Sequence, residues 1–315
     1  MSGQDGAYLA QWLLDKGYEV HGSSRDAQTQ GFHNLHRLGI AKRLQLHSMA
    51  PNDFRSVITT LTRVEPDEVY YLAGQSSVGL SFEQPVETFE SIQLGTLNLL
   101  EAIRFANPKI RFYHAGSSEC FGNTEASGAD ENTPFQPRSP YAVAKAAAVW
   151  TVRDYRESYG LYACSGILFN HESPLRPTRF VTAKIVDAAY RIAQGEIDSI
   201  ELGNLDIVRD WGWAPDYVEA MWLMLQQDEP RDYIIATGAS MRLRDFVDEA
   251  FSAFGLDASK HMRVSASLRR PNDIALSVGQ PKRAQSALGW QARVSGKALV
   301  ERLCHARAAL GAHRT

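Results

Sequence analysis

The stretch Arg111-Phe112-Tyr113-His114-Ala115-Gly116-Ser117-Ser118-Glu119 reads as a short apolar strand, 111–116, that runs straight into a hydroxyl pair and a carboxylate. In an open parallel α/β sheet, ligands sit beyond the carboxyl ends of the strands. Polar groups at that place are therefore candidates for chemistry. Working outward, residues 18–24, 44–49, 68–73 and 163–169 carry the same strand texture. Residues 7–16 and 91–106 read instead as helices. The first places Leu9, Trp12 and Leu13 on one face and stops at Gly17, and the second has Pro108 just beyond its end. This alternation predicts an α/β fold with a doubly wound parallel sheet of Rossmann type. The glycine-bearing loop Gly3-Gln4-Asp5-Gly6 has no strand ahead of it in this sequence. The sheet is therefore expected to lack its first strand, which would leave that strand's two neighbours unpaired.

After about Asn170 turn residues increase, punctuated by Pro174, Pro177, Pro215, Pro230, Pro271 and Pro281. This texture predicts a smaller lobe over the sheet. Residues 216–227 read as a helix returning to the sheet, with Val218, Met221, Trp222 and Leu225 as its apolar stripe. The expected domains are 1–170 with 205–235 for a dinucleotide, and 171–204 with 236–315 for the smaller, substrate-binding lobe.

The 315-residue length suits such a pair of unequal lobes. A formal net charge of −3 gives no basis for a nucleic-acid partner. No apolar run reaches the roughly 20 residues a membrane helix requires, and no basic, then apolar secretory leader is visible. Cys120, Cys164 and Cys304 show no paired spacing, so they are expected to be free thiols of a cytoplasmic protein. His33 and His36 are three apart but lack a third ligand, so no metal is expected. The Asn204-Leu205-Asp206 run reads as a plain turn.

Three features carry chemistry. Closely spaced glycines before a helix let backbone N–H groups approach a pyrophosphate. Beyond the next strand stand Arg25, suited to a 2′-phosphate and so to NADP, and Asp26, which keeps a ribose 2′-hydroxyl open as the alternative. Tyr141 and Lys145 are four apart at the start of an expected helix and so share a face. An ammonium beside a phenol favours phenolate, which can take a proton from a sugar hydroxyl. Ser117 can hydrogen-bond the same oxygen. Glu119 adds a second base, which a simple reductase does not need and a dehydratase does.

Several longer stretches carry a more specific resemblance. These are Gly3-Gln4-Asp5-Gly6-Ala7-Tyr8-Leu9, Pro137-Arg138-Ser139-Pro140-Tyr141, Asn170-His171-Glu172-Ser173-Pro174, Arg209-Asp210-Trp211-Gly212 and Asp216-Tyr217-Val218-Glu219-Ala220-Met221-Trp222. Through them the chain resembles the GDP-mannose 4,6-dehydratase family of extended short-chain dehydrogenase/reductases over nearly its whole length. The resemblance implies that Tyr141, with Lys145 and Ser117, deprotonates the C4 hydroxyl of a GDP-sugar while NADP takes the C4 hydride. It further implies that Glu119 removes the C5 proton and assists loss of the C6 hydroxyl, and that the hydride returns to C6. The implied product is GDP-4-keto-6-deoxymannose. Cofactor contacts are implied for Gly3, Gln4, Asp5, Gly6, Arg25, Leu72, Ala73, Gln75, Tyr141, Lys145, His171 and Arg176. Substrate contacts are implied for Ser76, Glu119, Asn170, Lys184, Arg209 and Arg270. The resemblance also implies a homodimer or homotetramer. The alternatives are a dehydratase of another GDP-sugar, such as a GDP-heptose, and a paralogue that binds a nucleotide or a partner subunit without catalysis.

Overall fold

The computed structural model describes residues 1–268 and 272–312. Helix α1 (Gln4–Asp15) buries Ala7, Leu9, Ala10 and Leu13, which recur at helical spacing, against the helix Ala214–Leu225. Trp12, expected on that face, is only partly buried and meets Trp222 edge-on. The strands β1 (His21–Ser24), β2 (Gln45–Ser48), β3 (Glu68–Tyr71), β4 (Arg111–Ser117) and β5 (Ala163–Leu168) follow in the expected order. Four are shorter than the sequence suggests, whereas β4 runs one residue further, to Ser117.

Every ladder among these strands is parallel, and Tyr233–Ile235 joins β5 in the same sense. Neighbouring residues of β4 serve different layers. Tyr113 and Ala115 pack in one cluster with α1, while Phe112 packs in another with Val57 and Leu100. All six residues of β5 are buried, as a strand between two helix layers requires. The sheet is thus the doubly wound parallel kind.

Among the described residues no ladder joins β1 to β3: β2 and β1 form one sheet, and β3, β4, β5 and Tyr233–Ile235 another. A cavity of about 320 Å³ lies between the facing edges, lined by His21, Ser23, Val69 and Tyr71 together with Leu9 and Leu61. Met1 borders it, and its ammonium donates to the Ser23 carbonyl at 3.1 Å. Burial lowers that amine to about 6.

The expected 91–106 helix is a composite, a π-turn over Glu90–Leu94 followed by the helix Gly95–Ala106. The returning helix is Ala214–Leu225. Val218, Met221 and Leu225 are buried as expected, but Met224 completes the stripe and Trp222 stays half-buried. β6 (Asn170–Glu172) pairs in parallel with Trp211–Trp213 just beyond β5. A separate core holds Ile185, Ala189, Phe246, Val247, Phe251 and Leu299, where the helices Val181–Ala193, Leu243–Ser252 and Gly296–Ala312 meet. Asn204 and Asp206 form a turn closed by the Asp206 N–H donating to Asn204 Oδ1 at 3.0 Å. Cys120, Cys164 and Cys304 are buried and free. Among the described residues no helix is long and apolar enough to cross a membrane, and no three potential metal ligands gather.

Candidate active site

β4 delivers Ser117 to its carboxyl end, where the chain turns through a short 3₁₀ segment, Ser118–Phe121. Ser117 Oγ accepts from the Glu119 N–H at 3.3 Å and so caps the turn. Gly122 closes it at φ 67°, and a Cβ there would lie 2.4 Å from the Gln136 carbonyl, so only glycine fits. The Gln136 N–H in turn donates to the Cys120 carbonyl at 2.8 Å. The Glu119 turn is therefore pinned from both sides.

The helix Pro140–Tyr159 begins beside this turn because Ser139 Oγ accepts from the Ala142 N–H at 3.1 Å and proline occupies the first turn. Tyr141 and Lys145 consequently face β4 one turn apart. Lys145 Nζ donates to the Ala115 carbonyl at 2.7 Å and lies 6.0 Å from the Tyr141 ring centre. Burial raises the Tyr141 phenol well above its ordinary value, while a hydrogen bond with Ser117 opposes the rise and the nearby Glu119 carboxylate adds to it. Burial lowers Lys145 to about 8, and Cys120 and Asp5 resist that fall. Ser117, Glu119, Tyr141 and Lys145 thus form one cluster. Burial also pushes the Cys120 thiol up to about 12, so it offers no nucleophile.

Gly3 caps α1, and no side chain closes that end of the helix. A Cβ on Gly3 would meet nothing within 4 Å. An uncapped helix N-terminus with open space before it fits an anionic diphosphate. The side chains of Gln4 and Asp5 do not face that space. Gln4 Nε2 donates to the His171 carbonyl at 2.9 Å, and its Oε1 accepts from Ser173 Oγ at 2.7 Å. Asp5 Oδ2 meets His171 Nε2 at 3.0 Å. The side chains of these two residues, expected at the cofactor, are instead engaged with residues 171–173.

His171 also bonds the Phe169 carbonyl through Nδ1 at 2.7 Å and stacks on Tyr217 with ring centres 4.5 Å apart. Arg176 lies 3.3 Å from the buried Glu172 carboxylate, with its guanidinium over the Phe180 ring. Beyond β3, Leu72 is partly buried, Ala73 and Ser76 are exposed, and Gln75 holds the turn by donating to the Ser77 carbonyl at 2.8 Å. Arg25 follows β1, is exposed, and pairs with Glu87 at 3.2 Å. Asp26 is engaged in its own turn, where it accepts from the Gln28 N–H at 2.9 Å and the Thr29 hydroxyl at 2.8 Å.

The expected substrate residues are more scattered. Asn170 opens β6. Lys184 turns to the Glu201 carbonyl at 2.7 Å, and Arg209 is buried 3.7 Å from Asp273. Arg270 lies outside the described residues. Tyr141, Lys145 and Glu119 do not line the cavity between β1 and β3, so that cavity is not the catalytic cleft. Sequence reasoning missed Glu172, which is buried, accepts from Thr182 Oγ1 at 2.7 Å and anchors Arg176. It also missed Tyr217 as the platform for His171 and Asp210 as the carboxylate that binds Thr237 and Gly238. Their signal was position: each falls within a few residues of a strand end.

A doubly wound parallel sheet, with a Tyr-x-x-x-Lys helix beside a strand-end Ser-Ser-Glu turn, defines an extended short-chain dehydrogenase/reductase. A Thermus thermophilus UDP-glucose 4-epimerase, solved with NAD, superposes with a TM-score of 0.84 at 28% identity, covering 98% of this chain and 96% of that one. The Streptomyces venezuelae dTDP-glucose 4,6-dehydratase DesIV, solved with NAD, shares the fold at a TM-score of 0.87 and 22% identity over 98% of this chain and 95% of that one. The family model described as GDP-mannose 4,6 dehydratase matches residues 1–303. The Arabidopsis thaliana protein named GDP-mannose 4,6 dehydratase 1 is 45% identical over 311 residues, 96% of this chain and 86% of that protein. The Vibrio cholerae GDP-mannose 4,6-dehydratase is 42% identical over 337 residues, 96% of this chain and 90% of that protein. This chain belongs to the GDP-mannose 4,6-dehydratase family.

Proposed function

We propose that the chain converts GDP-mannose to GDP-4-keto-6-deoxymannose, with NADP as a cofactor that is regenerated in each turnover. The observation that carries this reading is the cluster of Ser117, Glu119, Tyr141 and Lys145 at the carboxyl end of β4. When bound, the nicotinamide would supply a hydride acceptor for C4 and a positive charge that favours phenolate at Tyr141 in its oxidised form, and a hydride donor to C6 once reduced. Tyr141 takes the C4 hydroxyl proton, Ser117 holds that oxygen, and Lys145 favours the deprotonated phenol. Glu119 takes the C5 proton, made acidic by the adjacent ketone, and gives a proton to the departing C6 hydroxyl. NADP is favoured over NAD because Asp26 is engaged in its own turn, leaving the exposed Arg25 to meet a 2′-phosphate. The uncapped start of α1 is the diphosphate seat, with open space beside Gly3, whereas the Met1 backbone already lies close against Gly6. Leu72, Ala73 and Gln75 at the end of β3 complete the cofactor wall, with His171 and Arg176 opposite.

The core around Phe246 and Phe251 is assigned to the substrate lobe, with Ser76, Asn170, Lys184 and Arg209 toward the GDP-sugar. Lys184 has to release Glu201 to reach a phosphate. Self-association is assigned to the exposed Val86, Phe89, Val143 and Trp150, which lie on two helices in contact. Light scattering should give a dimer or larger.

The deciding experiment incubates the purified chain with GDP-mannose and NADP and follows the 4-keto product. Product formation, abolished in Tyr141→Phe, is the expected result. Turnover of a GDP-heptose but not of GDP-mannose would move the substrate. No turnover and no NADP binding by calorimetry would favour the non-catalytic alternative.

A further inference from the structure

The Gln4-Asp5 pair stands where a diphosphate would seat, yet a carboxylate there would repel it. The geometry explains how that conflict is resolved. Asp5 is turned from the open end of α1 into the segment after β5, and its Oδ2 meets His171 Nε2 at 3.0 Å. His171 Nδ1 meets the Phe169 carbonyl oxygen at 2.7 Å. A carbonyl oxygen can only accept and a carboxylate accepts when ionised, so both ring nitrogens donate. That is the protonated imidazolium. Burial opposes the charge, but the Asp5 carboxylate, its hydrogen bond and the one to Phe169 prevail and raise His171 above its ordinary value.

Asp5 is likewise held below the usual carboxylate range: burial opposes, while His171 and then Arg176 outweigh it. Asp5 Oδ1 is buried without a hydrogen-bond partner, so neighbouring charge must offset it. The groups facing the His171 ring are Asp5 from α1, Arg176 from the following turn, and Tyr217 from the helix Ala214–Leu225, which covers one face. Gln4 reinforces the junction from α1 through the His171 carbonyl and the Ser173 hydroxyl.

We propose that Asp5 is a positioning residue whose ion pair with a doubly donating His171 locks α1 to residues 170–173, fixing one wall of the cofactor cleft and keeping its own charge away from the diphosphate. This rests on the cofactor reading given above. It also means that His171 meets a cofactor through its ring and not through a free nitrogen. Asp5 further resists the loss of the Lys145 proton, linking the lock to the catalytic cluster.

The test pairs ligand binding with histidine NMR. Asp5→Asn keeps a hydrogen-bond acceptor and removes the charge. In that variant the His171 titration should shift to lower pH, and NADP affinity should fall about tenfold, the usual weight of a charged hydrogen bond. Gln4→Ala should weaken binding without moving the His171 titration, because the ion pair remains. A merely structural role for Asp5 would lower the melting temperature and leave NADP affinity where it was. Unchanged titration or unchanged NADP affinity in Asp5→Asn overturns the proposal. If the wild-type chain binds no NADP, the cofactor reading fails, and the titration alone then decides whether the ion pair exists.

Discussion

Lys145 sets the alkaline limit of the proposed chemistry. Burial holds it at about 8, and only its protonated form favours phenolate at Tyr141. Raising the pH through about 8 removes that charge, so kcat should fall on the alkaline side. A pH–rate profile checks this, and a rate that kept rising well past that point would refute it. Replacing the base itself, in Tyr141→Phe, should cost at least about 10³-fold in kcat. Glu119 separates the two halves of the reaction. In Glu119→Gln, Tyr141 and Lys145 stay in place and the phenol is relieved of a neighbouring carboxylate that opposes its ionisation, so C4 oxidation should proceed while water loss stalls. Reduced cofactor should then accumulate in a single turnover, visible by its absorbance. A variant that showed neither accumulation nor impairment would remove Glu119 from the mechanism.

Longer-range contacts decide what periodicity could not. β5 was legible because an unbroken buried run has one explanation between two helix layers. The Tyr141 helix was legible because its Ser-Pro start is a local signal. The π-turn at Glu90–Leu94 was not. Tyr71, twenty residues earlier, donates its phenol to the Ser91 carbonyl at 2.5 Å, and Gly95 leaves room for that ring. The Gln4–Ser173 and Asp5–His171 contacts were hidden for the same reason, since the partners are more than 160 residues apart in the chain. One such long-range contact can be weighed by mutation. Arg156 of the Tyr141 helix forks onto Asp232 at 3.0 and 2.8 Å, and Asp232 Oδ1 also accepts from the Ser165 N–H of β5 at 2.7 Å. Both side chains are largely buried. Asp232→Ala leaves a guanidinium and an amide without their acceptor and should destabilise the fold by about 3 kcal/mol. Urea denaturation measures it, and a loss below about 1 kcal/mol would place the pair among surface ion pairs.

The whole sheet is divided at the cavity between β1 and β3, and the division has a definite energetic signature. Each facing strand runs parallel to its own ladder neighbour, their facing edges carry backbone groups that want ladder partners, and the lining is largely apolar. Joining a short apolar, proline-free strand to Met1 would run it between the two edges. It would also turn the buried ammonium at Ser23 into an amide that keeps the same hydrogen bond. Filling the space should stabilise the fold by more than about 2 kcal/mol, because an apolar strand there would bury apolar lining now left open. A control of equal length with a central proline should gain little, because it cannot complete the ladder. The pH dependence gives an independent reading. The amine falls from 8.0 to about 6 on folding, so the unfolded chain binds more protons between those values and stability rises with pH across them. That contribution is lost as pH falls through about 6. His171 acts in the opposite sense but is common to both chains, so the difference between extended and unextended protein isolates Met1. Denaturation at pH 6 and at pH 8 should show the gain from the extension to be larger at pH 6. An equal gain at both, or an equal gain from the proline control, would mean that the added residues do not enter the gap.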